Sequence, residues 1–362
     1  MNEAAQGKAA MTPVPGFYKD KRILVTGAAG TVGTALIAAL MRGPIAKLYA
    51  LDNDETETYY LETTYKGDPR FVATCGDVRD QDKLHHVMSD VDIVFHGAAL
   101  KHVTICERAP FDAVQTNILG VQNIINAALG NSVERVIFMS SDKAVNPTNV
   151  MGTSKLMGER LITAANSLRA DRGTIFSSTR FGNVMGSRGS VVELFQKQIA
   201  AGGPVTLTDK KMSRFVMTPA QAVTLILRSA ELARGGEVFV TKMPTLLIKD
   251  LLEVMVAVLA DRYGYAAGEI GVQELGSRPG EKLYEELLNE EETRRTLELE
   301  DHYVILPAFR YIYDQISYDY PGVVRSSVEK IYRSDLETAM ARGDVRNFLL
   351  DHDLIAAAPA NV

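Results

Sequence analysis

Cysteine is scarce in this chain. There are two, Cys75 and Cys106, and neither sits in a C-x-x-C or metal-ligand spacing. A disulfide framework and a thiolate metal centre are thereby excluded as organising features, and two reduced thiols of a cytoplasmic protein are expected. Long apolar runs are also missing, because none approaches the ~20 residues of a membrane span. Positive charge is not in excess either. The net charge of -6 excludes a nonspecific nucleic-acid binder, which needs a basic surface, but leaves room for local basic pockets. No internal repeat or low-complexity tract is evident. The N-terminal stretch Met1 to Phe17 lacks the apolar core of a signal peptide. An N-terminal arm over residues 1–20, flexible or touching a partner, is expected.

What is present is an ordinary globular composition, 46% hydrophobic and 23% charged over 362 residues. That length suffices for one large or two modest domains. Arg22 to Thr26 is a short, branched, apolar run that reads as a buried strand. Gly27-Ala-Ala-Gly30-Thr31-Val32-Gly33 follows at once, and then helical spacing to Arg42. Strand, glycine turn and helix stand in the order of a dinucleotide site, with a helix N-terminus facing a pyrophosphate. The second strand, Lys47 to Leu51, runs into Asp52-Asn53-Asp54. An acidic residue there suits ribose hydroxyls and repels a 2′-phosphate, which favours NAD over NADP.

Phe71 to Cys75 and Val91 to Phe95 read as the third and fourth strands. After the third comes Asp77-Val78, where Asp77 meets an adenine edge, caps the next helix, or does both. After the fourth come His96, read as a core histidine, and the small residues Ala98 and Ala99, beside which a cofactor could pass. Lys101 follows in a loop at the carboxyl end of a strand, where doubly wound folds bind ligands. Phe111 to Leu129 is helical and contains Asn117, which either faces solvent or bonds something specific.

The central stretch is Phe138 to Arg160. An apolar strand, Val136 to Met139, breaks into Ser140-Ser141-Asp142-Lys143, turns at Asn146-Pro147, and continues as a helix carrying Met151 and Lys155 on one face. A sixth strand spans Thr174 to Arg180. Six strand–helix alternations predict an α/β fold with a doubly wound parallel sheet. Beyond it lie three polar, basic loops: Asn183 to Gly189 with Arg188, Lys210 to Phe215 with Arg214, and Ser277 to Lys282 with Arg278 and Glu281. Together they suit a diphosphate-bearing ligand. Ser190 to Glu193 and Thr218 to Gln221 read as capping boxes. Glu285 to Glu300 reads as an acidic solvated helix or lid, Pro307 to Tyr320 as a tyrosine-rich packing or subunit contact, and Ser327 to Leu349 as terminal helices.

The glycine motif, Ser141-Asp-Lys-Ala-Val-Asn-Pro147, the Lys155 helix, Arg180-Phe-Gly-Asn183, Met212-Ser-Arg214-Phe and Arg278-Pro-Gly-Glu-Lys282 occur together. In that combination the chain resembles an extended short-chain dehydrogenase/reductase, and more narrowly the nucleotide-sugar 4,6-dehydratases acting on UDP-N-acetylglucosamine. The likeness spans roughly Phe17 to Pro307. It implies a Rossmann-like NAD-binding domain over residues 21–182 and 216–243. A smaller mixed α/β nucleotide-sugar domain would cover 183–215 and 244–310, with a C-terminal helical extension over 311–362. It implies a UDP-sugar substrate, tightly held and recycled NAD, no metal, a homo-oligomer of two or more chains, and a form without the N-terminal membrane region of many relatives.

The resemblance also implies roles. Lys143 would be the base at C5, and would need a depressed pKa. Asp142 would be the acid for the C6 hydroxyl and would have to be held protonated. Ser141 would bond the C4 oxygen, and Lys155 would hold the nicotinamide ribose. Cofactor contacts would come from Gly27, Gly30, Thr31, Val32, Gly33, Asp52, Asn53, Asp77, Val78, Ala98, Ala99, Asn117 and Lys155. Substrate contacts would come from Lys101, Asn183, Arg188, Ser190, Arg214, Arg278 and Glu281. One departure stands out: the superfamily's usual tyrosine, four residues before Lys155, is Met151. A thioether cannot relay a proton. Methionine here resembles the dehydratases that retain configuration at C5. The owner of the C4 hydroxyl proton is then open among Asp142, a water and Lys101. The rival readings are a nucleotide-sugar 4-epimerase or ketoreductase, and a catalytically silent NAD-binding scaffold protein.

Overall fold

The computed structural model describes residues 14–168, 173–276, 280–313 and 315–355. Its centre is a ten-stranded sheet. The first six strands are β1 (Arg22–Thr26), β2 (Lys47–Asp52), β3 (Phe71–Cys75), β4 (Ile93–His96), β5 (Arg135–Met139) and β6 (Ile175–Arg180). They lie in the order β3-β2-β1-β4-β5-β6, all parallel. The chain reverses direction across the sheet between β1 and β4, the crevice where open α/β sheets bind ligands. Thr26 at the end of β1 registers with His96 at the end of β4, so both following loops open at one edge.

Helices cover both faces. They are α1 (Thr31–Arg42), α2 (Glu55–Thr64), α3 (Gln81–Val87), α4 (Val103–Arg108), α5 (Pro110–Ala113), α6 (Gly120–Gly130) and α7 (Val150–Ala165). α1 and the later helix Pro219–Leu232 bury Leu36, Leu40, Ile226 and Ala230 on one face. α6 and α7 bury Val121, Ile124 and Ile162 on the other. The branched, apolar β-strands therefore contribute side chains to two cores, as a parallel sheet with both faces covered requires.

A smaller lobe has its own core of Phe195, Ile199, Leu251, Met255, Val345 and Leu349. Its helices Val191–Ala200, Ile248–Leu259 and Arg342–Asp351 pack together. The Thr218–Gln221 capping box forms as expected, with Thr218 and Gln221 exchanging both bonds. At Ser190 the expected box does not form: the serine hydroxyl makes no cap, Ser190 N donates to Ser187 O, and Glu193 accepts from Gly189 N at 2.7 Å instead.

Three expectations are corrected. The acidic stretch 285–300 is neither a solvated helix nor a lid. It contributes strands Glu286–Leu288 and Thr296–Leu299, with Glu285, Glu286 and Glu292 buried against basic partners. Residues 296–305 do not belong to the small lobe, since His302–Ile305 pairs antiparallel with Val238–Thr241 and extends the large sheet. Residues 311–355 are not a helical extension. Val323–Arg325 edges the large sheet, Tyr332–Arg333 pairs with Glu286–Leu288, and the helix Arg342–Asp351 completes the small lobe. Of the N-terminal arm, residues 1–13 lie outside the described residues. Tyr18 is fully buried and its hydroxyl donates to Leu227 O at 2.6 Å, so the end of that segment is packed. In the tyrosine-rich stretch Tyr313 donates to Thr163 O and Tyr320 to Glu237, whereas Phe309 and Tyr311 are exposed.

Candidate active site

One large cavity, of about 1120 Å³, opens at the carboxyl edge of the sheet. On one side the glycine turn follows β1. Gly27 has φ +68, and a Cβ there would lie 2.7 Å from Ala98 N, while a Cβ on Gly33 would lie 2.2 Å from Gly27 O. Only glycine lets the β1 and β4 loops and α1 come this close. The N-terminus of α1 has no side-chain cap, so its first amides remain for an anion. Asp52 at the end of β2 accepts from Ala29 N at 2.9 Å and from Asp54 N at 3.1 Å, which fixes its carboxylate beside the turn. Asp77 pairs with Arg79 at 2.6 Å and is not a helix cap; Asp80 caps α3 instead. Thr31, Val32, Asn53, Val78, Ala98 and Ala99 also line this side.

On the other side the polar turn follows β5. Ser141 Oγ donates to Asp142 Oδ1 at 2.6 Å, Lys143 N donates to the same oxygen at 2.8 Å, and Lys143 Nζ does so at 3.0 Å. Asp142 Oδ2 is buried with no partner among the described residues. α7 packs directly onto this turn: a Cβ on Gly152 would lie 2.3 Å from Lys143 O. Asn146, with φ 44, takes the tight bend before Pro147 and donates to Glu286 at 3.0 Å. Met151 faces the cavity from α7 and is buried with Cys106 and Ala113. One turn on, Lys155 donates to Met139 O at 2.9 Å. Burial, opposed by Glu159, lowers its pKa to about 8.

The expected depression at Lys143 is reversed. Burial pushes its pKa down, but Asp142 and Glu285 outweigh that and raise it. Glu285, expected from the sequence in a solvated acidic stretch, instead reaches Lys143 Nζ at 3.5 Å. It comes from the run Gly280 to Glu286, which braces the loop after β5. Lys282 Nζ donates to Val145 O at 2.9 Å and Asn149 Nδ2 donates to Gly280 O at 3.0 Å.

A loop from the small lobe closes the third side. Lys101 Nζ donates to Arg188 O at 2.9 Å, Arg188 N reaches Thr31 Oγ1 at 3.3 Å, and Arg188 pairs with Glu57 at 2.9 Å. Arg188 thus sits on the glycine-turn side. Burial and Arg188 lower the Lys101 pKa. Asn183 and Ser190 line the cavity, and Ser190 Oγ is buried without a partner among the described residues.

With this geometry established, similarity to known proteins places the chain. Residues 23–307 match the family described as polysaccharide biosynthesis protein. The chain belongs to that family. An uncharacterized membrane protein of Methanocaldococcus jannaschii is 49% identical over 81% of this chain and 88% of that protein. A protein of Campylobacter jejuni named UDP-N-acetylglucosamine 4,6-dehydratase (inverting) is 36% identical over 82% and 86%. A protein of Rickettsia massiliae named UDP-glucose 4-epimerase is 36% identical over 80% and 84%. The X-ray structure of Pen from Bacillus thuringiensis superposes with a TM-score of 0.87 at 38% identity, covering 94% of this chain and all of that one. The family is one of extended short-chain dehydrogenases/reductases, and the Rossmann-like sheet found here is its architecture.

Against the residues expected for such a family member, three placements differ. Asn117 does not face the cavity. It lies in a π-helical turn, Val114–Leu119, and holds Leu100 N and O and Ser154, so it fastens the loop after β4 to α7. Arg214 is buried, donating to Ser213 O and Lys282 O and facing Glu285 at 3.7 Å, and does not line the cavity. Glu281 is exposed and away from the cavity, and Arg278 lies outside the described residues. His96 is a core residue, with Nδ1 2.7 Å from Thr26 Oγ1 and a pKa lowered to about 3 by burial and Lys155. Cys75 and Cys106 are free. Among the described residues no helix is long and apolar enough to cross a membrane.

Proposed function

We propose that this chain is an NAD-dependent nucleotide-sugar 4,6-dehydratase. It converts UDP-N-acetylglucosamine to UDP-2-acetamido-2,6-dideoxy-α-D-xylo-hexos-4-ulose with retention at C5. The observation that carries this reading is the Ser141–Asp142–Lys143 relay facing a dinucleotide-type turn across one cavity, with methionine where tyrosine would stand. The site fits NAD. The glycine turn and α1 amides would take the diphosphate, Asp52 the adenosine ribose and Lys155 the nicotinamide ribose. When bound, NAD supplies the hydride acceptor for C4 and the donor for C6.

The chain's own residues manage the protons. Ser141 takes the C4 hydroxyl proton and passes its own to Asp142 along their 2.6 Å bond. Oxidation at C4 therefore protonates the carboxyl that must next donate to the C6 hydroxyl. That requirement replaces the expectation of a carboxyl held protonated at rest. The resulting ketone acidifies C5–H. Lys143 takes that proton, the C5–H electron pair enters conjugation, the C6–O bond breaks, and Asp142 releases water. Lys143, whose other N–H hydrogens exchange with solvent, later delivers one of its hydrogens to C5 from the same face, which gives retention. The relative named as inverting differs in this outcome. Retention is proposed because Met151 offers no proton relay.

Proton NMR of the reaction with UDP-N-acetylglucosamine in heavy water tests this. The expected product is the 4-keto-6-deoxy sugar, deuterated at C5 with configuration retained. UDP-N-acetylgalactosamine would make the chain an epimerase, and NAD binding without turnover of any nucleotide hexose would make it a silent scaffold.

A further inference from the structure

Lys143 carries a surplus proton that the relay does not remove. It rests as an ammonium between Asp142 and Glu285, yet it must be an amine before it can take the C5 proton. Asp142 cannot relieve it, because Asp142 receives the C4 hydroxyl proton and must hand that proton to C6. Among the described residues Glu285 is the other carboxylate within ion-pair distance of Lys143.

Its setting is built. Glu285 is 3% exposed, and Oε2 is buried with no partner among the described residues. Its backbone is held at both ends by Ser334, Glu285 N donating to Ser334 Oγ at 3.0 Å and Ser334 N to Glu285 O at 2.9 Å. The charged groups that face it are Lys143 and Asp142 from the loop after β5, Arg214 from the strand Ser213–Met217, and Lys282 from its own segment.

We propose that Glu285 accepts the Lys143 proton and so produces the amine that acts at C5, a role that rests on the dehydratase reading. One N–H bond of Lys143 breaks, its electron pair stays on nitrogen, and an O–H bond forms on Glu285. After Lys143 has returned its proton to C5, the Glu285 O–H gives its proton back and the ion pair is restored. Protons and charges balance over the cycle. Burial raises the Glu285 pKa, with Asp142 adding to it and Lys143, Arg214 and Lys282 opposing, so the protonated form is within reach. Glu285 does not line the cavity, so it is a positioning residue that acts through Lys143.

The test compares Glu285→Gln and Glu285→Asp with the wild type, using UDP-N-acetylglucosamine in heavy water. In Glu285→Gln, C4 oxidation persists and the absorbance of reduced nicotinamide builds up on mixing. Deuterium entry at C5 and kcat fall about 100-fold, with KM little changed. The acid limb of the pH profile moves to higher pH, because activity now follows loss of the Lys143 proton to solvent. Glu285→Asp regains part of the C5 exchange. Wild-type C5 exchange in Glu285→Gln overturns the proposal. So does a parallel loss of C4 oxidation and C5 exchange that Glu285→Asp does not relieve, which marks a structural role. A wild type that forms no 4-keto-6-deoxy sugar defeats the dehydratase reading itself, and that arm is read without any variant.

Discussion

Arg180 and Glu159 are locked together beneath the polar turn. Arg180 Nε donates to Glu159 Oε1 at 3.0 Å and Nη2 to Oε2 at 2.7 Å, and both side chains are almost fully buried. Ser140 Oγ donates to the same carboxylate at 2.5 Å, and Arg180 also reaches Glu292 and Leu287 O. The pair thus joins β6, α7, the start of the polar turn and the acidic segment. Arg180→Ala would leave Glu159 buried without its cation and Glu292 with Arg295 alone, at 3.9 Å. A loss of about 3–5 kcal/mol is expected, measured by urea unfolding. The exposed pair of Lys21 and Glu134 is the control, with Lys21→Ala costing ~0–1 kcal/mol.

Lys155 makes stability depend on pH in a definite direction. Its folded pKa is about 8, below the ordinary 10.5. Below about 8 it is charged in both states and the burial penalty is fully present. As pH rises through about 8 the folded form loses its proton while the unfolded chain keeps its own until near 10.5, so stability rises across that window. Wild type should therefore gain about 3 kcal/mol on Lys155→Met between these limits. Unfolding midpoints of both proteins at several pH values check it; a constant gap would mean that Lys155 is not held at a lowered pKa.

What was legible in the sequence is local. The glycine turn, the branched strands and the Ser141–Lys143 break each announce themselves within a dozen residues, because turn chemistry and periodicity are short-range properties. The partners of the acidic stretch are not. Glu292 meets Arg180 across 112 positions, and charge composition alone made that stretch look solvated. Glu285 was hidden for the same reason, because it opens the acidic stretch and lies three positions beyond the Arg278–Lys282 run. Asn117 was legible as a helix misfit that faces solvent or bonds something specific; its partners, Leu100 and Ser154, belong to parts of the fold the local pattern does not reach. The terminal segment read as helical because its strand Tyr332–Arg333 exists only through pairing with Glu286–Leu288.

Met151 separates packing from chemistry. It is 3% exposed and packs with Cys106 and Ala113. Met151→Leu conserves volume and should cost under ~1.5 kcal/mol while leaving product formation nearly unchanged, since no proton passes through the thioether. Met151→Ala opens a void and should cost about 2–5 kcal/mol. A large loss of turnover in a stable Met151→Leu protein would assign the sulfur a role that packing does not explain.

The loop carrying Arg188 spans the glycine-turn side of the cavity. It crosses from the small lobe to the glycine turn and is held by Lys101 at 2.9 Å, by Thr31 and by Glu57. None of these bonds supports a core, so removing one should leave unfolding within ~1 kcal/mol of wild type. Each nevertheless restrains the loop over the proposed NAD site. Lys101→Met should speed NAD release about tenfold, the equivalent of ~1.4 kcal/mol. Arg188→Gln should do less, because the Arg188 side chain is 63% exposed and its pair with Glu57 is screened by water. Release of labelled NAD from the purified protein into excess unlabelled NAD measures both. Equal release from all three proteins would show that the loop does not govern cofactor retention, and the tight hold would then rest on the glycine turn, Asp52 and Lys155.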